Sequence, residues 1–178
     1  VIPMSANAEY EGGKDNNPDD DVPFTIISRD APSIDKTKWD LTIEMKQDYH
    51  ENGTTFEIIT QICTNDGVCD PPEVMAAEID ERLHTISLTP PDDHSYVNWR
   101  VKSIDSNGNK TNHPHGDWYK TWSSCWYNDG EYGGVDSTSD GCLENESEKN
   151  ISGFLFNTSI VALLSSTIII YRKHNNVS

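Results

Sequence analysis

Apolar and polar side chains alternate along several stretches of the chain, and this pattern predicts β-strands. In the segment 39–47 the apolar residues Trp39, Leu41, Ile43 and Met45 alternate with polar ones, as in a strand that buries one face. The segment 56–63 alternates in the same way. Between the two, Asn52-Gly53 can form a turn with positive φ. We therefore predict that these two segments pair as a hairpin.

The second half of the chain alternates more strongly. Within 96–104, Val97, Trp99 and Val101 point one way, and the polar residues between them point the other way. Further strands are predicted at 24–28, 85–89 and 118–126, whereas 73–83 has moderate helix propensity without an apolar stripe and is ambiguous. Short strands separated by turn residues are typical of an antiparallel sandwich. The predicted fold class of the folded part is all-β.

The segment 151–171 contains 21 residues and no charge. A helix of this length rises about 30 Å, which matches the hydrocarbon core of a bilayer. Arg172 and Lys173 follow it, and the positive-inside rule places such a basic flank in the cytoplasm. We predict one C-terminal transmembrane helix in the cell membrane, with the N-terminus outside. A buried helix of a soluble core is the alternative.

The N-terminus agrees with export, because Ala6 and Ala8 have the small-residue spacing that signal peptidase recognises. The predicted organisation is a signal-peptide remnant at 1–8, a disordered acidic segment at 9–23, the sandwich at 24–126, an acidic Gly- and Ser-rich loop and stalk at 127–150, the transmembrane helix at 151–171 and a cytoplasmic basic tail at 172–178.

Charge narrows the classes of partner. With 30 acidic and 13 basic residues, the chain has a formal net charge of -17 at pH 7. Such a charge repels nucleic acids and anionic lipid headgroups. We expect no nucleic-acid partner, and the acid excess either serves solubility or attracts cations.

The four cysteines form two sequence-local pairs, Cys63 with Cys69 and Cys125 with Cys142. An even count beside an export signature favours disulfides. Neither pair has the C-x2-4-C spacing of a zinc site. Four cysteines permit three pairings, and we favour the two local ones.

One stretch carries a family resemblance. HSYVNWRVKSIDSNGNKT at 94–111, followed by KTWS at 120–123, resembles the F strand, turn and G strand of fibronectin type III and related immunoglobulin-like domains. The resemblance implies an immunoglobulin-like antiparallel sandwich. It also implies a binding or spacer module, since such domains host many functions and rarely catalysis.

The C-terminus carries a second resemblance. Ser152-Gly153-Phe154, followed by an apolar run and Arg172-Lys173, is similar to the Pro-Gly-Phe sorting tails of archaeal surface proteins, with Ser152 in the place of Pro. In that family the tail is cut near the tripeptide and the protein passes to a lipid anchor. Both a retained span and a processed tail therefore stay open.

Six Asn-x-Ser/Thr sequons occur. Asn52 and Asn109 lie in the predicted sandwich and are the candidate glycosylation sites. The other four lie close to, within or beyond the predicted membrane span: Asn145, Asn150, Asn157 and Asn176.

Motifs of catalysis are absent from the sequence: it has no H-E-x-x-H, G-x-S-x-G, phosphate-loop or dinucleotide pattern. We expect that the protein is not an enzyme. A hydrolase that uses carboxylate chemistry is the remaining enzymatic alternative. His113-Pro114-His115 and the run from Asp105 to Asn109 resemble metal motifs incompletely and are interpreted as turns.

The better candidate metal ligands lie inside the Cys125–Cys142 ring. Four carboxylates occur within 13 residues, and a divalent cation would relieve their mutual repulsion. They are Asp129, Glu131, Asp136 and Asp140. Calcium is therefore the one cofactor that the pattern suggests, and a solvated loop is the alternative.

An aromatic cluster occupies 118–132. On one alternating strand, Trp118, Trp122 and Trp126 share a face and would enter the core, which leaves Tyr119 and Tyr132 exposed. Exposed rings stack on sugars or anchor protein partners. Tyr119 and Tyr132 are thus candidate ligand-binding residues, with core packing as the alternative.

These observations lead to one functional hypothesis. The chain is expected to be a membrane-anchored extracellular binding or structural module of the cell envelope, non-catalytic, that meets a protein or a glycan. The alternative is a calcium-dependent adhesin or an extracytoplasmic ligand sensor.

Overall fold

The computed structural model describes residues 11–143. This part of the chain is built from β-strands with one short helix, and the prediction of an all-β antiparallel class is confirmed. The elements are β1 Phe24–Arg29, β2 Trp39–Met45, α1 Gln47–Glu51, β3 Thr55–Thr64, β4 Glu73–Val74, β5 Glu78–Asp80, β6 Leu83–Leu88, β7 His94–Ile104, β8 Lys110–His113, β9 Tyr119–Trp122, β10 Trp126–Asn128, β11 Glu131–Gly133, β12 Ser137–Thr138 and β13 Gly141–Cys142.

The strands form two main antiparallel sheets. The first sheet has the order β1-β2-β6-β5, and the second has the order β4-β3-β7-β8, with β9 also paired to β7. Two small hairpins, β10-β11 and β12-β13, follow the second sheet. The register of β3 on β7 extends from Thr55↔Ile104 to Thr64↔His94, so this long pair is the backbone of the second sheet.

One apolar core is shared by both sheets, an arrangement consistent with a β-sandwich. The alternation predicted for 39–45 is present, because Trp39, Leu41 and Ile43 are fully buried. On the second sheet Val97 and Trp99 are equally buried. Side chains of β1, β3, β6 and β9 complete the same core.

The predicted hairpin of 39–47 with 56–63 is wrong. β2 pairs with β1 and β6, whereas β3 pairs with β4 and β7, so the two strands lie in different sheets. The helix α1 occupies the connection, and Gly53 follows it at φ +74. Alternation shows that each strand buries one face, but both sheets satisfy this condition equally well.

Two segments, 73–83 and 118–126, each contain more than one strand in the structure. Residues 73–83 contain the edge strands β4 and β5 rather than a helix. The predicted strand 118–126 is two strands, β9 and β10, separated by the buried residues Ser123, Ser124 and Cys125.

Residues 11–23 are ordered, so the predicted disorder of 9–23 is wrong for this part. Asn16 forms an antiparallel bridge with Lys120 of β9. The indole nitrogen of Trp122 donates to the carbonyl of Lys14 over 2.9 Å. The composition of this arm resembles a disordered segment, but its backbone groups find partners on β9. We refer to residues 11–22 as the N-terminal arm.

Residues 127–143 do not form a stalk. They fold into the hairpins β10-β11 and β12-β13, and the Cys125–Cys142 disulfide closes them into a ring. The backbone amide of Asp136 donates to the carbonyl of Ser124, which ties this ring to the end of β9. The remaining stalk residues, 144–150, lie outside the described part.

Among residues 11–143, no helix has the length and apolar character needed to cross a bilayer. The predicted signal remnant at 1–8, the predicted span at 151–171 and the predicted tail at 172–178 lie outside the described residues.

Candidate functional site

The outer face of the second sheet carries alternating rings and cations, which we call the aromatic ladder. Its members are Trp118, Arg100, Lys120, Tyr96 and Trp122. The guanidinium carbon of Arg100 lies 4.1 Å from the centroid of the Trp118 ring. The ammonium of Lys120 lies 3.7 Å from the Tyr96 ring and 5.1 Å from the Trp122 ring. Tyr96 and Trp122 meet edge to face at 5.1 Å. Contacts of this kind stabilise the stack and fix the direction of each cation.

Strand register explains how the ladder forms. Because β7 and β9 are antiparallel, Tyr96 lies opposite Trp122, and Asn98 lies opposite Lys120. Val97 and Trp99 point into the core, so their neighbours on β7 must point outward. The outward positions of two adjacent strands therefore form rows in which rings and cations meet.

The cations of the ladder are partly desolvated. Burial lowers the pKa of Lys120, which the nearby Asp117 raises to a smaller extent. Arg100 has no carboxylate within ion-pair distance among residues 11–143, and its Nε is buried without a hydrogen-bond partner. The two other arginines of this part, Arg29 and Arg82, pair with Asp15 and Glu44.

The N-terminal arm covers one end of the ladder. Asp15 Oδ1 accepts a hydrogen bond of 2.9 Å from the amide of Trp122, and its Oδ2 accepts one of 2.8 Å from Arg29. As a result Trp122 is only 2% exposed although it lies on the outer side of the sheet. The arm thus shields most of the Trp122 ring from solvent.

A cleft of about 310 Å³ opens beside Trp122 where four segments meet. The N-terminal arm, the β1–β2 connection, the end of β9 and the disulfide ring each contribute to it. Its lining includes Asp15, Pro32, Ser124, Trp126 and Val135. The cleft therefore combines ring edges and small apolar groups with one carboxylate and serine groups, a mixture suited to a small polar ligand.

Glycines hold the Trp126 ring in the wall of this cleft. Gly133 lies opposite Trp126 in the β10-β11 pair, and a Cβ there would come within 2.2 Å of the ring. A Cβ at Gly12 or Gly13 would come within 2.7 Å or 2.9 Å of it. Since real Cβ atoms do not approach so closely, larger residues at these positions would displace the ring.

Three side chains near the cleft have the connectivity of a hydrolase triad. His94 Nε2 lies 2.8 Å from Ser33 Oγ, and His94 Nδ1 lies 2.5 Å from Asp35 Oδ1. Acyl transfer needs a nucleophile that a substrate carbonyl can reach. Ser33 is 1% exposed and His94 is fully buried. This network instead ties the β1–β2 connection to β7, and Ser33 also forms a parallel bridge with Ser123.

The predicted calcium ligands are all exposed: Asp129, Glu131, Asp136 and Asp140. Within residues 11–143 the structure contains no group of three or more His, Cys, Asp or Glu side chains able to hold a metal ion. The structure therefore does not bring these four carboxylates together.

Two other sequences that resemble metal motifs form turns and hydrogen bonds. Asp105 Oδ1 accepts from the backbone amides of Asn107 and Asn109, which closes the β7–β8 turn as predicted. His113 Nε2 lies 3.0 Å from Ser103 Oγ.

The two candidate tyrosines lie in different environments. Tyr119 is 3% exposed and packs in the core 4.6 Å from the Trp99 ring and 6.2 Å from the Phe24 ring. Its prediction as an exposed ligand-binding residue is therefore wrong. Tyr132 is partly exposed, and its ring lies 4.9 Å from that of Tyr127. A ligand role for Tyr132 stays a prediction.

The phase of β9 is the reason for this error. Tyr119 and Thr121 point into the core, whereas Trp118, Lys120 and Trp122 point outward. The sequence contains a signal for this phase, because Lys120 falls between two tryptophans at a spacing of two. A lysine on the shared face marks that face as the outer one.

Both disulfides join the pairs that the sequence favours, Cys63–Cys69 and Cys125–Cys142. Asn65 lies in the loop that Cys63–Cys69 closes, and its side-chain amide nitrogen is 3.6 Å from Cys142 Sγ. The two disulfide-closed loops are therefore in contact. Both disulfides stabilise the loops at the end of the molecule where the cleft opens.

The two candidate glycosylation sites lie at the opposite end of the strands. Asn52 is exposed and ends α1. Asn109 is exposed in the β7–β8 turn, where its amide donates to Asp105 Oδ2 over 2.8 Å. Glycosylation of both residues stays a prediction.

Comparison with known proteins adds no family. No protein-family model matches the chain, and a search of curated proteins returns no match.

Proposed function

We propose that the chain is a non-catalytic, membrane-anchored extracellular binding module of the cell envelope, built on an immunoglobulin-like sandwich. Strand order supports this fold. The first sheet, β1-β2-β6-β5, corresponds to strands A-B-E-D of a constant-type immunoglobulin domain. Strands β3 and β7 correspond to C and F, and β8 and β9, which both pair with β7, together correspond to G. The segment whose sequence resembles fibronectin type III domains occupies β7, the following turn and β9.

Several features support the extracellular location. The two disulfides of the described part suit an oxidising compartment. The uncharged segment 151–171 with its basic flank supplies the membrane anchor. A non-catalytic role fits the burial of Ser33, because its hydroxyl is closed to any substrate.

The observation that carries the binding role is the aromatic ladder. Trp, Tyr and Arg are the residues that contribute most to protein–protein affinity. Here Trp118, Arg100 and Tyr96 are half-buried on the outer face of the second sheet, with Arg100 over the Trp118 ring and Lys120 over the Tyr96 ring. Their rotamers are already fixed by stacking, so binding costs little side-chain entropy. A protein partner on this face is the function that the geometry supports best.

The test is cross-linking of the full-length chain in its native envelope. Trp118→Ala removes a half-exposed ring, and Thr42→Ala on the outer face of the first sheet is the matched control. We expect a discrete cross-linked product for the wild type and the control that is at least about fivefold weaker for Trp118→Ala. Absence of the product, or equal yields in all three proteins, would contradict the proposal.

The cleft favours a second candidate, a saccharide ligand. Val135 is 79% exposed at its rim, so Val135→Trp should narrow the cleft without disturbing the core. Val68→Trp is the matched control, since Val68 is exposed and does not line the cleft. On a glycan array, we expect the full-length wild type and the control to bind a common saccharide and Val135→Trp to lose it. Binding by none, or equally by all, would exclude this candidate.

A further inference from the structure

Arg100 differs from the other arginines of residues 11–143 because none of the carboxylates described in this range lies within ion-pair distance of it. Arg29 and Arg82 each donate to a carboxylate. Arg100 is stacked on Trp118, and its buried Nε, like that of Arg29, has no hydrogen-bond partner within residues 11–143. Leaving a buried donor of a charged group without an acceptor destabilises the fold. In a chain with 30 acidic residues and 13 basic ones, a carboxylate would have been easy to place.

The neighbours of Arg100 explain why no carboxylate reaches it. Its cross-strand partner on β3 is Ile59, which in turn lies opposite Val74 of β4. Ile59 is 4% exposed and Val74 is 54% exposed. The nearest acidic residue on β3, Glu57, pairs with Lys102 over 2.7 Å. The guanidinium thus stands between a tryptophan ring on one side and an aliphatic surface on the other.

This geometry prepares the guanidinium for an external carboxylate. Stacking on a ring occupies the face of the guanidinium and leaves its N–H groups directed along the plane, the arrangement that binds a carboxylate with two parallel hydrogen bonds. The apolar neighbours exclude water, which strengthens such a pair.

We infer that the outer face of the second sheet binds a partner protein through one acidic side chain, presented among apolar residues, that pairs with Arg100. This inference rests on the proposed function and names the chemistry of the partner. Arg100, Trp118 and the exposed Val74 do not line the cleft, so this face suits a protein segment better than a saccharide, which needs a concave site. A strongly acidic partner, including a second copy of this chain, is disfavoured by the net charge of -17.

The probe is a short capped peptide with one glutamate among valine and threonine residues, compared with its glutamine twin. Binding to the full-length chain in detergent is followed by NMR through the Arg100 Nε–H and Trp118 indole signals. We expect the glutamate peptide to bind at least about fivefold more tightly than the glutamine peptide. Equal affinities, or no binding of either peptide, would overturn the inference.

Two variants locate the effect. Arg100→Met keeps the aliphatic stem and removes the unpaired donor, so it should abolish the preference for glutamate without lowering the melting temperature. Lys38→Met changes a cation of the first sheet and should keep the preference. A preference that survives in Arg100→Met would overturn the inference. If the chain prefers the glutamate peptide but gives no cross-linked product in the envelope, the proposed function alone is contradicted. If the cross-linked product forms but the glutamate peptide is not preferred, this inference alone is contradicted.

Discussion

The outer faces of the two sheets carry different side chains and pair them in different ways. On the first sheet the outward residues of β2 are polar and pair with residues of β6 or with Arg82 just before it, although Ile27 of β1 is also exposed. Ser87 donates to Asp40, and Thr42 lies 3.0 Å from Thr85. Glu44 at the end of the row accepts from Arg82. On the second sheet the outward residues include rings and cations, and within residues 11–143 Arg100 has no carboxylate at ion-pair distance.

This difference shows which surface is complete by itself. Asp40, Thr42 and Glu44 of the first face each have a side-chain partner, so a partner protein would gain little by replacing these contacts. The N-terminal arm buries Trp122 at one end of the second face, and at the other end Arg100 Nε has no hydrogen-bond partner within residues 11–143. A surface with unsatisfied, desolvated groups gains most from a partner.

The largest expected effect separates the two faces by their packing. Trp122→Ala removes a 2% exposed ring that contacts Tyr96 and Trp126, and should lower the free energy of unfolding by about 3–5 kcal/mol. Thr42→Ala on the first face should cost about 1 kcal/mol or less. Urea denaturation measures both values. Similar losses would mean that the second face is no better packed than the first.

The next largest effect on stability is expected from opening the disulfide-closed loop that follows β9. Cys125→Ser with Cys142→Ser opens a disulfide spanning 17 residues and should cost about 3 kcal/mol by the chain-entropy model. Cys63→Ser with Cys69→Ser opens one spanning 6 residues and should cost about 2 kcal/mol. Urea denaturation of both double variants tests the order of the two values. A larger loss for the shorter loop would contradict it.

Two carboxylates, Asp15 beside the second face and Asp40 on the first, allow the stability loss from removing one acidic side chain to be compared between the faces. Asp15→Ala removes the partner of Arg29 and of the Trp122 amide, and should cost about 2 kcal/mol because it leaves partly buried donors unpaired. Asp40→Ala removes contacts with Ser87 and Lys38 at an exposed site, so its effect should be about 1 kcal/mol or less. Thermal unfolding of both variants checks this order, and a reversed order would refute it.

A smaller effect appears at high pH, where Tyr119 titrates. Burial, together with the nearby Asp19 and Asp21 of the N-terminal arm, raises the pKa of Tyr119 to about 12. In the unfolded chain the pKa of a tyrosine is about 10. The folded state therefore keeps its full stability below about pH 10 and loses this contribution as the pH rises toward 12.

Tyrosinate absorbance in the near ultraviolet reports this titration. In a variant with Asp19→Asn and Asp21→Asn, we expect the last tyrosine to ionise at lower pH than in the wild type, since two negative charges are gone. Asp48→Asn with Glu51→Asn in α1 is the control and should leave the profile unchanged. An unchanged profile in the arm variant would show that burial alone acts on Tyr119.

The smallest expected effect is that of calcium. The four carboxylates of the 128–140 loop are exposed and do not form a ligand group. A bound ion would raise the melting temperature by mass action. We expect the melting temperature of the full-length chain to be the same in calcium and in chelator, whereas a rise in calcium would support the adhesin alternative.

The sequence predicted what depends on short-range pattern. Alternation identified β2 and β7 because the side-chain period of a strand is local. The two disulfides were found because each pair is close in sequence. The sheet to which β2 and β3 belong could not be read, since the same alternation fits either layer. The buried Ser33–His94–Asp35 network also escaped, because 61 residues separate Ser33 from His94.

The N-terminal arm shows the same limit for the candidate site. Its Asp, Asn, Gly and Pro residues have the composition of a disordered segment. Its order comes from Trp122 and Lys120, more than 100 positions away. Composition describes what a segment can do alone and carries no information about a distant strand edge that accepts its hydrogen bonds.

The Cys125–Cys142 bond also decides how the described part would bear mechanical load. Tension applied at Leu143 passes through Cys142 and across the sulfur bridge to Cys125, three residues after β9 ends at Trp122. Residues 126–141 are bypassed and stay slack. The force therefore reaches the second sheet directly, at the strand that the N-terminal arm holds on its other edge, while the cleft-lining ring keeps its shape.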